Sequence, residues 1–355
     1  MTSTRAPRSP GKVRAARLTD LAALGELSRL CQSDDAATRS LGLPLSGPPI
    51  GVFSLFRLRL GAFRPNDLMY VYESEGRIAG LARVERETSR DEWTIVELDA
   101  VGVADAGDIR YRLVNQLLRD GAKRGAARFH VACADVDDNV ELLMQAGFIR
   151  YGEERVMFRP AGAALPGPLS ELAAASARIR PAQPVDALAI HQLYTAATPG
   201  PVARLEAIRL PDWERQGNHW RVPRSSLAPI LRFADVEAFV QAAEDGGRDG
   251  TQLDGFVQIG VAKEDQPHYL KVLARPDVDA GALIDYGLGI IATRTAKGSD
   301  HRPNHGVIAP VRTYEAPLDR RLEDHAFESI ASVTLLMKET LVRVAEPALV
   351  PAGVR

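Results

Sequence analysis

The sequence predicts two consecutive α/β (α+β) domains, each with a mixed, mainly antiparallel sheet flanked by helices. Three observations carry this prediction: the chain length, a break near the middle, and a pattern of strands and helices found on both sides of the break. With 355 residues, the chain is about twice as long as an average domain of roughly 150 residues. The break is at residues 161–177, which are rich in Ala, Pro, Gly and Ser and whose prolines and glycines interrupt regular structure.

We therefore expect an N-terminal domain at 13–160, a linker at 161–177 and a C-terminal domain at 178–345. Residues 1–12 contain Arg and Lys but no acid, and are expected to be a disordered basic tail, with a second tail at 346–355. The N-terminus lacks the apolar stretch of a secretory signal, and no apolar run reaches the roughly 18 residues of a membrane helix. We expect a cytoplasmic protein that does not bind membranes.

The composition excludes several classes of protein. The hydrophobic fraction is 45% and the charged fraction 25%, which is typical of a globular protein rather than a disordered or collagen-like one. A net charge of −2 does not favour binding to nucleic acid. Two cysteines, Cys31 and Cys133, are too few for a disulfide framework or a zinc site, so no metal is expected.

The repeat begins with Arg14 followed by Asp20, and again with Arg180 followed by Asp186. Each Asp stands where a helix is expected to begin, which is a favourable position for a capping side chain. The second copy begins 166 residues after the first (180 − 14) and, at the Phe148 and Phe327 positions, lies 179 residues after it (327 − 148). This small drift favours a duplication over a chance match of two common strand–helix units.

In the first copy, local patterns define the elements. Apolar residues at Ile109, Leu113 and Leu117 follow helical spacing. Ser74-Glu75-Gly76 predicts a tight hairpin turn in which glycine supplies a positive φ. The expected order is strand 13–17, helix 20–31, strands 68–73, 77–87 and 93–103, helix 109–124, strand 128–134, helix 139–145 and a strand pair ending at 159.

The second copy is expected to repeat this order less cleanly. It contains helix 186–196, strands 255–263 and 268–275, helix 280–294, strand 306–313, helix 318–325 and strand 332–338. Its extra segment, 201–235, holds Trp213 and Trp220. With His219 they could line an acceptor pocket, or pack the insertion.

This succession of elements resembles a tandem pair of GNAT superfamily domains. The residues that carry the resemblance are the two Arg-x-Ala-x-x-x-Asp openings, Gly80, Ala146-Gly147-Phe148, the 273–277 segment and the closing segment from Phe327 to Lys338. The resemblance implies transfer of an acyl group from acetyl-CoA or another acyl-CoA to an amine of a small molecule or peptide. It implies a protein that acts as a monomer or homodimer.

The resemblance also implies a pyrophosphate site at the N-terminus of the central helix, where backbone N–H groups and the helix dipole favour an anion. In the first copy this points to Gly107, Ile109 and Arg110, and the preceding strand end, Val101 and Val103, would bind the pantetheine arm. Asp105 and Asp108 oppose an anion there, and the second copy has Asp277 and Asp279 with no base. The first copy is therefore the better candidate.

Glu97 and Asp99 are the candidate catalytic residues, because the family often places a general base on this strand. A strand period of two puts both carboxylates on one face, where either could take a proton from an ammonium group. The alternative is a pair of solvated acids on a polar face. The Tyr acid of many relatives is replaced by Leu143 and Leu322. Tyr151 and Tyr314 are nearby candidates, but each is equally well an ordinary packed tyrosine, so the acid is unassigned.

Three hypotheses about function follow. The first is an acyl-CoA-dependent N-acyltransferase, with the N-terminal domain as the catalytic one. The second is a catalytically silent tandem module that binds a ligand or protein. The third is the same fold used for other chemistry. The loss of glycines in both predicted phosphate loops and the leucines at the two Tyr positions favour the second and third hypotheses, whereas Glu97 and Gly107 favour the first.

Overall fold

Twelve strands form one sheet in the computed structural model. Residues described are 11–27, 67–87, 91–101, 106–134, 138–161, 163, 177–214, 225–227, 231, 233–243, 252–262, 267–297 and 306–340. The strands are β1 (Lys12–Ala15), β2 (Asp67–Ser74), β3 (Arg77–Glu87), β4 (Glu92–Ala100), β5 (Arg128–Cys133), β6 (Ile149–Arg159), β7 (Ile179–Pro181), β8 (Phe233–Ala242), β9 (Leu253–Ala262), β10 (His268–Ala274), β11 (Val307–Arg312) and β12 (Glu328–Glu339). The expected basic tail, the tail at 346–355 and most of the expected linker lie outside the described residues.

The described helices cover both faces of the sheet. They are α1 (21–27), α2 (Ala106–Lys123), α3 (Asn139–Gln145), α4 (Ala187–Ala197), α5 (Gly200–Glu206), α6 (Leu210–Glu214), α7 (Gly281–Lys297) and α8 (Ala316–Asp324). Short 3-10 turns precede α1, α4 and α8. The mixed, mainly antiparallel sheet with flanking helices confirms the predicted fold class. None of the helices in the described part of the chain is long and apolar enough to span a membrane.

The last strand of each half of the chain lies in the sheet of the other half. The strand order is β1-β2-β3-β4-β5-β12-β6-β11-β10-β9-β8-β7. Strand β12 pairs with β5, and β6 pairs with β11, so the two exchanged strands meet at the centre of the sheet. The expected strand pair ending at residue 159 is wrong, because residues 149–159 form one strand that continues across the sheet.

The two halves of the chain are related by an internal repeat, and glycines at equivalent positions in the strand register show it. Gly80 on β3 lies opposite Ala100 and directly beneath Ile109 of α2. Gly255 on β9 lies opposite Ala274 and directly beneath Leu283 of α7. A Cβ atom at either glycine would clash with the helix above it, so glycine allows α2 and α7 to pack closely on their strands.

The repeated Arg and Asp form matching ion pairs. Arg14 binds Asp20 through two hydrogen bonds of 2.6 and 2.9 Å, and Arg180 binds Asp186 through two of 2.7 and 2.6 Å. Each carboxylate also accepts a backbone N–H three residues earlier, which closes the 3-10 turn. The Asp therefore caps that turn rather than the following helix. The same local structure at both openings supports the predicted duplication.

The hydrophobic core is divided by the sheet. On one face, α2 packs on the N-terminal half and α7 on the C-terminal half. On the other face, α1 covers β2 and β3, while α4 and α6 cover β8 to β10. The predicted turn at 74–76 is present, with positive φ at both Glu75 and Gly76. The sheet carries an α1/α4 face and an α2/α7 face, and the candidate site lies on the first.

Candidate functional site

Strands β4 and β5 separate part of the way along their length. Their parallel pairing runs from Glu92 opposite Arg128 to Ile95 opposite Val131 and then stops. Both strands continue beyond that point, β4 to Ala100 and β5 to Cys133. The unpaired ends leave a wedge-shaped opening in the sheet. Strands β10 and β11 separate in the same way after Tyr269 and Ile308, so each half of the chain has one wedge.

Glu97 and Asp99 lie beside the N-terminal wedge on the same face. Asp99 is directly opposite Leu81, which packs against Leu24 and Leu27 of α1, so both carboxylates are on the α1/α4 face. The Asp99 residue is 6% exposed, and the Glu97 side chain is 15% exposed. Two solvated acids therefore do not describe this pair. Their catalytic role stays a prediction.

A β-bulge decides which face Glu97 occupies. Arg83 lies opposite Glu97, but the next residue, Val84, lies opposite Ile95, so Val96 is an extra residue in β4. Before the bulge, Trp93 and Ile95 point into the core beneath α2. Without the extra residue Glu97 would share that face, because strand side chains alternate. The bulge moves its carboxylate to the wedge.

Arg83 holds Glu97 in place. Its Nε donates to Oε2 of Glu97 at 2.9 Å, and the Arg83 side chain is 24% exposed. The two residues are directly opposite on adjacent antiparallel strands, where opposite charges favour pairing. Arg83 is not among the residues predicted from sequence. Its position opposite Glu97 depends on the bulge, which the sequence does not show.

The predicted cofactor-binding residues differ in what they can contribute. Gly107 lies in the first turn of α2, and a Cβ there would meet open space among the described residues. The Ile109 side chain is buried in the core, which leaves only its backbone for a ligand. Arg110 donates from Nη1 to Asn139 Oδ1 at 2.7 Å, and the N–H of Val101 donates to Ala79. Val103 lies outside the described residues.

The acids of the two predicted phosphate loops behave differently. Asp108 in the N-terminal half is paired with Arg112 at 2.7 Å, which offsets its charge. In the C-terminal half, Oδ1 of Asp279 accepts the backbone N–H of Gly281 at the start of α7, at 2.9 Å. Arg321 also binds that oxygen at 2.9 Å. The N-terminus of α7 thus already binds a carboxylate from its own chain, where a phosphate would have to bind.

Lys271 occupies the position in the C-terminal half that Glu97 occupies in the N-terminal half. It lies opposite Gln258, as Glu97 lies opposite Arg83, and it is three residues before Ala274, as Glu97 is three before Ala100. Lys271 is 1% exposed. Its ammonium group donates to Oε2 of Glu315 at 3.0 Å and to the Pro310 carbonyl at 3.3 Å.

A buried network of charges surrounds Lys271 on the α1/α4 face. Arg312 at the end of β11 pairs with Glu154 of β6 at 3.3 Å and with Glu206 of α5 at 2.8 Å. Burial alone would lower the pKa of Arg312, but the carboxylates of Glu206 and Glu154 raise it well above its ordinary value. Tyr194 donates to Glu206 at 2.6 Å. Burial, with Glu206 beside it, raises the pKa of Tyr194.

This network fills the C-terminal wedge on the α1/α4 face with the chain's own side chains. The backbone N–H of Ser226 donates to Glu154 at 2.9 Å, which ties the 225–227 segment to β6. The network was missed from sequence, although Lys271 in the apolar strand Tyr269–Leu273 was a signal. The equivalent part of the N-terminal wedge carries the Arg83–Glu97 ion pair, with Asp99 two residues further along β4.

The other candidate residues are mostly packing residues. Leu143 and Leu322 are buried in the two cores. Trp213 is fully buried between Tyr194 and Phe256, so it packs the insertion. Burial raises the pKa of Tyr314, and the Tyr151 ring lies 6.2 Å from that of His130. His219 and Trp220 lie outside the described residues. Within the described ranges, no cluster of His, Cys, Asp or Glu could hold a metal ion.

Comparison with solved structures identifies the fold. The chain is similar to a tandem GNAT protein from the clavulanic acid biosynthesis pathway, with 11% identity, a TM-score of 0.53 and coverage of 93% of this chain and 98% of that one. It is also similar to a GCN5-related N-acetyltransferase from Sphaerobacter thermophilus, with 14% identity, a TM-score of 0.51 and coverage of 93% and 96%. No family model and no curated protein matches the sequence. The chain has a tandem GNAT fold.

Proposed function

We propose that this protein is an acyl-CoA-dependent N-acyltransferase whose N-terminal half is catalytic. It would transfer an acetyl or longer acyl group to an amine of a small molecule or peptide. The observation that carries the proposal is the contrast between the two wedges. Glu97 and Asp99 flank the N-terminal wedge, whereas a buried ion network fills the C-terminal one and Asp279 caps α7.

The residues of the N-terminal half fit an acyl-CoA. The N-terminal turn of α2 offers backbone N–H groups beside Gly107, where a Cβ would meet open space among the described residues, and Arg112 pairs with Asp108. The separated strands β4 and β5 leave backbone groups that could bind the pantetheine arm. In the C-terminal half, by contrast, Asp279 competes for the same kind of site on α7.

The reaction uses Glu97 as general base. Glu97, oriented by Arg83, accepts a proton from the substrate ammonium while Asp99 holds the nitrogen near the wedge. The amine nitrogen attacks the thioester carbonyl carbon, a C–N bond forms, and the C–S bond breaks. The proton lost by the new amide nitrogen goes to the departing CoA thiolate, directly or through water.

Binding of acyl-CoA tests the assignment to one half. We expect calorimetry with acetyl-CoA and longer acyl-CoAs to give one site per chain. Gly107→Trp should abolish that binding, because the indole would occupy the open space at the start of α2. Gly281→Trp is the matched control, since Gly281 has the same position on α7 and should leave binding intact. Loss of binding in the control alone would contradict the assignment.

Turnover tests the role of Glu97. Glu97→Gln keeps the shape but removes the base, and we expect kcat to fall about 100-fold or more with unchanged acyl-CoA affinity. An unchanged kcat would remove Glu97 from the mechanism.

A catalytically silent binding module is the second candidate. Asp105 and Asp108 beside the predicted phosphate loop favour it, because acids weaken anion binding there. Acyl-CoA binding without turnover of any amine would support this candidate instead.

A further inference from the structure

Arg110, near the start of α2, is held by a neutral side chain. Its Nη1 donates to Oδ1 of Asn139, the first residue of α3, at 2.7 Å. Within the described ranges Arg110 bonds no carboxylate, whereas Arg112, two residues later, pairs with Asp108. An amide oxygen accepts a hydrogen bond without carrying a charge. The contact therefore fixes the guanidinium group and leaves its positive charge uncompensated.

The contact between Arg110 and Asn139 leaves two buried donors unused. Asn139 is 8% exposed, and its Nδ2 is buried without a hydrogen-bond partner. Nε of Arg110 is buried without a partner as well. Each such donor costs free energy of folding, and a positive charge near a helix N-terminus is unfavourable because the helix dipole is positive there. The stability of the fold therefore does not explain these two residues.

The internal repeat has an apolar pair at the equivalent positions. Ile284 corresponds to Arg110, because each directly follows the helix residue that packs on the glycine of its half. Leu318 corresponds to Asn139, because each lies nine residues before the Phe that follows its helix (327 − 318 and 148 − 139). Ile284 and Leu318 are buried in the same hydrophobic core. The C-terminal half thus has apolar packing where the N-terminal half carries a charge.

The start of α2 is accessible from solvent. Gly107 and Asp108 are exposed, and Arg110 is partly exposed. Arg110 comes three residues after Gly107, so the two lie on the same side of the helix. The backbone N–H groups of the first turn have no partner within the helix and favour an anion. These N–H groups and the guanidinium of Arg110 together favour an anionic ligand.

Resting on the proposed function, we propose that Asn139 is a positioning residue for the binding of acyl-CoA. It holds the Arg110 guanidinium beside the first turn of α2, with its charge available to a phosphate group of acyl-CoA. An aspartate at position 139 would bind Arg110 more strongly but would neutralise that charge. A leucine there, as in the C-terminal half, would not hold Arg110.

Calorimetry with acetyl-CoA and urea unfolding, measured on the same variants, test the proposal. We expect Asn139→Asp to raise the Kd of acetyl-CoA at least about tenfold, because its carboxylate neutralises Arg110 and repels phosphate. The urea midpoint should not fall, since Arg110 binds a carboxylate more strongly than an amide. Asn115→Asp is the matched control, because it places the same charge further along α2 and should leave the Kd unchanged.

A second set of variants tests whether Asn139 acts through Arg110. Arg110→Ile combined with Asn139→Leu copies the apolar pair of the C-terminal half, and its urea midpoint should be no lower than that of the wild type. Asn139→Leu alone should raise the Kd of acetyl-CoA. It should raise the Kd no further when Arg110→Ile is already present, because the two residues act as one unit.

Three results would overturn the inference and leave the proposed function standing: an unchanged Kd in Asn139→Asp, an equal rise in Asn115→Asp, or a further rise from Asn139→Leu in the Arg110→Ile background. If the wild type does not bind acetyl-CoA, the proposed function fails, and inorganic pyrophosphate then tests the pair alone. A rise in Tm with pyrophosphate that Asn139→Asp removes and Asn115→Asp keeps would still support it. Absence of that rise in the wild type would refute it.

Discussion

At the scale of single residues, the two Arg–Asp pairs give the clearest link between sequence and stability. Hydrogen bonds from Arg14 and from the Arg17 backbone hold the pKa of Asp20 below its usual value, against the opposing effect of burial. For Asp186, burial would raise the pKa, but Arg180 and the Gln183 N–H lower it overall. A depressed folded-state pKa stabilises the protein above the unfolded pKa of about 3.9 and loses that effect as the pH falls further.

We expect Asp186→Asn to cost about 1–2 kcal/mol of unfolding free energy at pH 7, since Arg180 is partly exposed. The difference in unfolding free energy between variant and wild type should become smaller as the pH falls from 5 to 3. Urea unfolding at several pH values measures this. Asp277→Asn is the control, because Asp277 is exposed and its pair with Arg275 should matter little. If that difference in unfolding free energy did not change with pH, the charge of the Asp186 carboxylate would not be its cause.

At the scale of elements, the sequence predicts helices, turns and strand alternation, because these depend on residues that are close together in the chain. Asn139–Gln145 was predicted to the residue, and the 74–76 turn was predicted from its glycine. The alternation in β4 correctly placed Glu97 and Asp99 on one face, since both follow the bulge. It could not show which face, because the extra residue Val96 is visible only against the register of β3. The partnership of Arg83 with Glu97 was hidden for the same reason.

The contacts in the C-terminal wedge could not be predicted, for a related reason. The acids at 277 and 279 are visible in the sequence, but the contact of Asp279 with the start of α7 is not. Nor does the sequence show that Lys271, Arg312 and Glu154, which come from three strands and two halves of the chain, lie together. Charged residues far apart in sequence are brought together only by the sheet order. The site was therefore partly predictable at β4 and not predictable at β11 and β6.

At the scale of the whole molecule, the strand exchange ties the two halves together. Contacts beyond the sheet hold each exchanged strand. Arg155 of β6 pairs with Asp319 of α8 at 2.5 Å, and Lys338 of β12 donates to the Ala146 carbonyl at 2.5 Å. The repeat in sequence predicted two similar halves. The exchange depends on pairings across about 200 residues, which no local pattern records.

We expect the two halves of the chain to unfold in one transition, because each half of the sheet contains a strand from the other half of the chain. Trp93 reports on the N-terminal half, and Trp213 lies in the C-terminal half. A Trp213→Phe, Trp220→Phe double variant leaves Trp93 as the fluorescent reporter, and Trp93→Phe leaves the other two. Adding Glu154→Gln to each of these variants breaks the buried ion pair with Arg312. Both reporters should then show the same decrease in unfolding free energy, about 3–5 kcal/mol. Separate midpoints for the two reporters, or a loss confined to the C-terminal half, would contradict coupling through the exchanged strands.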